Sequence, residues 1–306
     1  MIIDLNDFVK ELYKRNNEKD ILIQNGIQYF LEYYKQNKRI ATYLYYKGKL
    51  SMIQEFFGEN DIQYFSQIND KLLMKYISIL QAKNNKNTTI NKYIGTIKTL
   101  ISFLNKRELI NPINIQIQKL NEIKPNINIL DSKTIQQISE YMKTKDNQKQ
   151  VIFFLLAATG IRRTELVNIK RSNVDIENNS IYLEHTKNGH TRFIYFPNYL
   201  KELLKNELNK NIKSTYLFTE QNGSKISVYK VDHIFANIRN KLKIKKLSPH
   251  MLRHTYATAL IESNDIETVR ILLGHESYEM TKRYLHIKDK KIMETSLKYN
   301  PLATFI

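Results

Sequence analysis

Residues that handle phosphate chemistry crowd into the stretch from Leu247 to Ile287. His250 and Arg253 stand in Leu247-Ser-Pro-His-Met-Leu-Arg-His254, His275 in Leu272-Leu-Gly-His275, and Tyr284 in Tyr284-Leu-His286. Positions three apart share one helical face, so His250 and Arg253 set a proton-transfer group beside a planar guanidinium. A second histidine follows a glycine turn, and a tyrosine lies nine residues beyond it. This is the makeup of a phosphate site awaiting a nucleophile. The stretch alone leaves open whether a nucleic acid, a nucleotide or nothing fills it. His250 and His254 also have the i, i+4 spacing of a zinc helix, but Met251 stands where a metalloprotease helix carries its glutamate base, and no metal is expected.

The elements that must position these groups are bounded by composition. A chain of 306 residues with 42% hydrophobic content is long enough for two ordinary domains, each with its own core. Lys+Arg 48 against Asp+Glu 30 gives a net charge of +18, which attracts polyanions and makes nucleic acid the first partner class, ahead of an acidic membrane surface. The bland alternative for part of that excess is an AT-rich genome that uses lysine, asparagine and isoleucine freely. With no cysteine there is no disulfide and no thiolate metal site. The start carries no basic, cleavable apolar segment, and the longest apolar stretch, residues 151–158, is far too short to span a bilayer. A cytoplasmic protein without membrane attachment is expected.

The first part reads as all-α. Apolar residues recur at helical spacing around residues 7–13 and over 26–35, 41–57 and 69–81, with Ile27, Phe30, Leu31 and Tyr34, then Leu44, Leu50, Ile53, Phe56 and Phe57, facing inward. Asn87-Thr88-Thr89 looks like the N-cap of a helix running through Leu104. Lys47, Lys49, Lys92 and Lys98, with Thr88, are the candidates for DNA contact in this part, although scattered lysines suit any solvated face. Asn111-Pro112 ends the last helix. The expected division is an all-α domain over 1–111, a linker over 112–129 and a second domain over 130–306.

Asp131-Ser132 caps a helix through Met142, and a more apolar helix covers about 148–158. A short helix is expected over 164–170. Beyond it, Ser180 to Lys187 and His190 to Phe196 alternate about Asn188-Gly189, the strongest short-range hairpin signal, with Lys187 at the tip. Residues 215–218 read as a third strand. Helices then return over 228–242, 250–261, 266–272, 278–284 and about 290–298, before an apolar ending.

Taken in order, five boxes resemble the catalytic domain of the tyrosine recombinases, the phage integrase family that includes the Xer recombinases. They are Ala158-Thr-Gly-Ile-Arg162-Arg-Thr-Glu-Leu166, Thr186-Lys187 with Arg192 five residues later, His250-x-x-Arg253-His254, Leu273-Gly274-His275, and Tyr284-x-His286. The all-α first part resembles that family's SAM-like core-binding domain. The fold class implied is mostly α with a small β-hairpin or sheet, an all-α SAM-like domain followed by a mixed α/β catalytic domain. This chain carries Arg163 where many relatives have a small or branched residue, and His190 where many have a second hairpin lysine.

The resemblance implies that duplex DNA is cleaved by Tyr284, whose oxygen becomes a 3′-phosphotyrosyl ester. Arg162 and Arg253 would stabilise charge developing on the non-bridging oxygens, and His275 would donate to the same oxygens. His250 would accept the tyrosine proton, Lys187 would protonate the leaving 5′ oxygen, and Glu165 would hold a catalytic arginine or histidine by an ion pair. Arg192 joins the lysines as a candidate DNA contact. Tyr278 could rival Tyr284, but its distance from His275 does not match the family's. The family assembles as a homotetramer on DNA, a dimer on each site, so the C-terminal tail is expected to dock on a neighbouring subunit. Neither cofactor, metal nor ATP is required. The alternatives are a type IB topoisomerase, acting alone without a defined site, and a non-catalytic DNA-binding protein.

Overall fold

The chain, described from a computed structural model over residues 20–123, 127–184, 191–210, 212–263, 265–274 and 277–282, divides into two compact units, Met1–Pro125 and Asn126–Ile306. In the first unit four helices are described: α1 (Ile23–Asn37), α2 (Ile40–Glu59), α3 (Asp70–Ala82) and α4 (Asn87–Asn105). Their inward faces bury Phe30, Leu50, Ile53, Phe57, Leu73, Ile90 and Ile97 in one core. Asn69 caps α3 by accepting the Leu72 N–H at 3.0 Å. At α4 the structure departs from expectation: Lys86 is the cap residue, and the Asn87 side chain instead donates to the Asn121 carbonyl at 2.7 Å. Leu44, placed inward by periodicity, is exposed, as are Ile40 and Met52 on the same helix.

Residues 113–120, within the stretch expected to link the domains, lie along this first unit. Ile113, Ile115, Ile117 and Leu120 pack against its core. The Asp70 carboxylate accepts the Gln116 N–H at 3.1 Å, and Asn91 exchanges two hydrogen bonds of 2.9 Å with the main chain of Leu120.

The second unit is built around α6 (Asn147–Thr159), which after a polar first turn is almost wholly apolar and buries Val151, Ile152, Phe153, Leu155 and Leu156. It packs against α5 (Ser132–Lys143), the single turn α7 (Arg163–Leu166), α8 (Lys201–Leu208) and α10 (Pro249–Ser263). A three-stranded antiparallel sheet, order β1 (Val174–Asp175), β2 (Ser180–Leu183), β3 (Arg192–Tyr195), pairs Leu183 with Arg192 next to the hairpin tip. The helices α9 (Val228–Lys241), α11 (Ile266–Leu273) and α12 (Tyr278–Lys282) complete the described α-helices. The expected strand over 215–218 is corrected: it makes only an isolated bridge, Lys170 to Tyr216, and the third strand is β1. The same bridge shortens the helix expected over 164–170, because the Leu217 N–H takes the Ile169 carbonyl and the chain then turns at Arg171–Asn173. The hairpin tip with Lys187, His275, Tyr284, and the helices expected around 7–13 and 290–298 lie outside the described residues.

Candidate active site

Two helix ends organise the site. At the C-terminus of α6, Gly160 adopts the left-handed conformation (φ 60°) and a Cβ there would lie 2.5 Å from the Tyr256 ring, so only glycine fits on both counts. At the C-terminus of α11, Gly274 does the same (φ 62°). Helix C-termini present unpaired carbonyls and negative partial charge, which arginines complement. Arg253, buried on α10, donates through Nη1 to the Gly160 carbonyl and through Nη2 to the Leu273 carbonyl, the latter at 2.6 Å. It thereby ties together the ends of α6 and α11.

Arg162 stands just after the first of these ends, as the N-cap residue of α7. Its Nη2 donates to the Gly274 carbonyl at 2.8 Å, and its Nη1 to Glu165 Oε1 at 2.9 Å. Glu165 is buried, and its carboxylate also accepts the Arg162 N–H at 3.0 Å and both Arg192 Nη groups, at 2.9 and 2.8 Å. Burial raises the Glu165 pKa, but the hydrogen bonds and charge of Arg192, with the charge of Arg162, outweigh it and hold the carboxyl below the usual range. The structure therefore brings Arg162, Glu165, Arg192 and Arg253 together at Gly160 and Gly274, the last residue before His275.

His250 lies in the first turn of α10, where Pro249 takes an early helical position and the Ser248 hydroxyl accepts the Met251 N–H at 3.3 Å. The ring stays in reach of solvent. Its pKa is nonetheless lowered, first by partial desolvation and then by the charges of Arg163, Arg253 and Arg162, with Asp232 opposing. Arg163, the residue after Arg162, is ion-paired to Asp232 of α9.

Of the candidate DNA contacts, Lys47 and Lys92 are exposed and Thr88 half-buried. Lys49 lies 3.5 Å above the centre of the Tyr93 ring, and Lys98 donates to the Ile117 carbonyl at 2.6 Å. Arg192, grouped with them from sequence, instead spends two donors on Glu165 with its side chain 12% exposed. Strand parity carries that signal: Arg192 shares the inward face of β3 with buried Ile194, while Phe193 and Tyr195 face out. Nothing in the sequence marks Asp232 or the three carbonyl acceptors. Among the described residues, no three His, Asp or Glu side chains gather as a metal site.

Comparison with known proteins bears on both units. The family described as "Phage integrase family" matches residues 128–291, and "Phage integrase, N-terminal SAM-like domain" matches residues 27–108. Tyrosine recombinase XerC of Bacillus subtilis (strain 168) is 26% identical over 92% of this chain and 98% of its own. Tyrosine recombinase XerC of Staphylococcus carnosus (strain TM300) is 30% identical over 74% of this chain and 80% of its own. Among solved structures, the XerH site-specific recombinase bound to palindromic difH substrate superposes with a TM-score of 0.73 at 19% identity, covering 95% of this chain and 88% of that one. A lambda integrase dimer bound to a COC′ core site gives 0.71 at 15% identity, covering 89% and 79%. At these identities the two structures establish the fold alone.

Proposed function

The chain belongs to the phage integrase family and is a Xer-like, tyrosine-type site-specific recombinase, and on that premise we propose how its residues cleave and rejoin a DNA recombination site. The observation that carries the proposal is the convergence of Arg162 and Arg253, from α7 and α10, on the ends of α6 and α11 next to Gly274. Guanidiniums so fixed need no reorganisation as charge develops on a phosphate. Arg162 and Arg253 stabilise the non-bridging oxygens of the scissile phosphate. His275, directly after Gly274, adds a donor. Tyr284 attacks phosphorus, its proton passing to His250, and Lys187 protonates the departing 5′ oxygen. The phosphotyrosyl ester keeps the energy of the broken phosphodiester, so a 5′-hydroxyl from another strand reseals it without ATP or metal.

Lys47, Lys49, Thr88, Lys92 and Lys98 are proposed to meet the DNA in the first unit. Lys49 and Lys98 already hold protein groups, so Lys47 and Lys92 are the stronger pair for phosphate. The working assembly is a homotetramer, a dimer on each site, with the C-terminal tail docked on a neighbour. A chain without cysteine that acts on DNA suits the cytoplasm, and no helix among the described residues is long and apolar enough to cross a membrane. A division into 1–111, linker 112–129 and 130–306 remains our reading of the domains.

The test is covalent capture. Wild-type protein is incubated in EDTA with a random pool of nicked duplexes, from which the short fragment bearing the new 5′-hydroxyl diffuses away and cannot reseal. Recovery of one sequence class in denaturant-stable adducts is expected. No adduct would remove the enzymatic reading in favour of a DNA-binding protein, and sequence-independent adducts with plasmid relaxation would favour a type IB topoisomerase.

Two further outcomes follow from charge. With several phosphate contacts, affinity for the captured duplex falls on the order of 10³-fold between 50 and 200 mM salt; a flat response in a binding titration counts against backbone contact. The lowered His250 pKa places the acid limb of kcat/KM for cleavage below 6.5, the ordinary histidine value. The sign follows from proton binding. The unfolded chain takes up a proton more readily than the folded one, so the contribution of neutral His250 to stability is complete above 6.5 and is lost as pH falls through the folded pKa. His250→Ala is expected to abolish that limb, and a limb that persists unchanged assigns it to another group.

A further inference from the structure

We infer that Arg192 is a positioning residue for Arg162, acting through the Glu165 carboxylate, and not a DNA contact. The inference rests on the reading of Arg162 as the group that stabilises charge on the scissile phosphate. Four donors fill the Glu165 carboxylate. Oε1 receives Arg192 Nη1 at 2.9 Å and Arg162 Nη1 at 2.9 Å; Oε2 receives Arg192 Nη2 at 2.8 Å and the Arg162 main-chain N–H at 3.0 Å. Each oxygen is thus shared between the two arginines, and the carboxylate plane that orients Arg162 is set by Arg192.

Only a planar fork can do this, because two parallel bonds fix a plane while an ammonium fixes a point. Arg192 is itself rigidly placed. It is paired with Leu183 across the sheet, and its guanidinium occupies the space where a Cβ on Gly274 would stand, 2.8–3.0 Å away. Gly274 supplies the carbonyl that takes the third bond of Arg162. The Arg162 side chain is therefore held at two points, Glu165 and Gly274, and Arg192 lies against both. With 12% of its side chain exposed, Arg192 has little surface to offer DNA.

The test uses the captured duplex in two forms, one ordinary and one with a neutral methylphosphonate at the scissile position, in single-turnover cleavage at saturating protein. Replacing a non-bridging oxygen by methyl removes the charge that Arg162 stabilises, so the loss caused by Arg162→Ala shrinks on that duplex if Arg162 is read correctly. Arg192→Lys is expected to bind the ordinary duplex as wild type does and to cleave it about 10²-fold more slowly, the scale of a small misplacement of a catalytic group. Most of that loss is expected to return on the methylphosphonate duplex. Recovery by Arg162→Ala but not by Arg192→Lys overturns the positioning role and leaves the reading of Arg162 intact. If Arg162→Ala itself does not recover, that reading fails and the inference with it. Weakened binding with normal cleavage at saturation makes Arg192 a DNA contact and also overturns the inference. A thermal melt accompanies each variant, and Arg192→Gln, which keeps a shorter, uncharged donor, takes the place of Arg192→Lys if that variant does not fold.

Discussion

Tyr284→Phe is expected to bind the captured duplex as tightly as wild type and to form no covalent adduct with it, strand cleavage falling by at least about 10⁴-fold, the scale on which loss of an attacking nucleophile registers. The substitution removes one oxygen and keeps the ring, so the phosphate contacts that set affinity are untouched. We propose Tyr284 over Tyr278 on the resemblance to the tyrosine recombinases, whose last box Tyr284 fills. Tyr278 opens α12 only three residues after His275, whereas Tyr284 stands nine residues after it. Tyr278→Phe is accordingly expected to cleave normally. Gel analysis of the adduct after denaturation decides between them: an adduct formed by Tyr284→Phe, or lost with Tyr278→Phe, moves the nucleophile to the other residue.

Arg253→Ala is expected to fail in two measurements at once. Cleavage falls about 10³-fold, because one donor aimed at developing charge contributes on that scale. Stability falls as well, since the Gly160 and Leu273 carbonyls lose their donors inside the protein. Two buried acceptors left unpaired cost about 2–4 kcal/mol together, a melting temperature lower by about 5–15 °C for a unit of this size. Arg253→Lys separates the two effects. It keeps the charge and one bond, so it is expected to regain part of the melting temperature while cleaving slowly, because an ammonium cannot reach both helix ends and a phosphate as a fork does. An unchanged melt for Arg253→Ala would mean that the helix ends α6 and α11 are not held by this side chain.

Much of the scaffold was legible because its signals are local. Asn69, Asp131 and Asp265 accept a main-chain N–H three residues on, as capping residues do, and the helices begin where their side chains say. The same local reasoning failed where a distant partner competed. Asn87 looked like a cap and is claimed by the Asn121 carbonyl. Residues 215–218 have the composition of a strand, but their neighbours at 169–171 leave after one bridge. Leu44 fits the helical stripe, yet the core of the first unit closes without it.

The sequence by itself determined which chemical groups the catalytic unit has and in what order, since residue type sets what a side chain can donate or accept, and Thr-Gly and Leu-Gly set two helix ends by short-range sterics. Tertiary structure alone decided which donor shares which acceptor. Arg162, Arg192 and Arg253 lie far apart in the chain and meet only because α6 and β3 pack on one core, α11 on a second, and α10 on both, bringing two left-handed glycine carbonyls and one buried carboxylate within 3.0 Å of their guanidiniums. Helix caps and turn residues are properties of neighbours. A carboxylate divided between two arginines is a property of the packing.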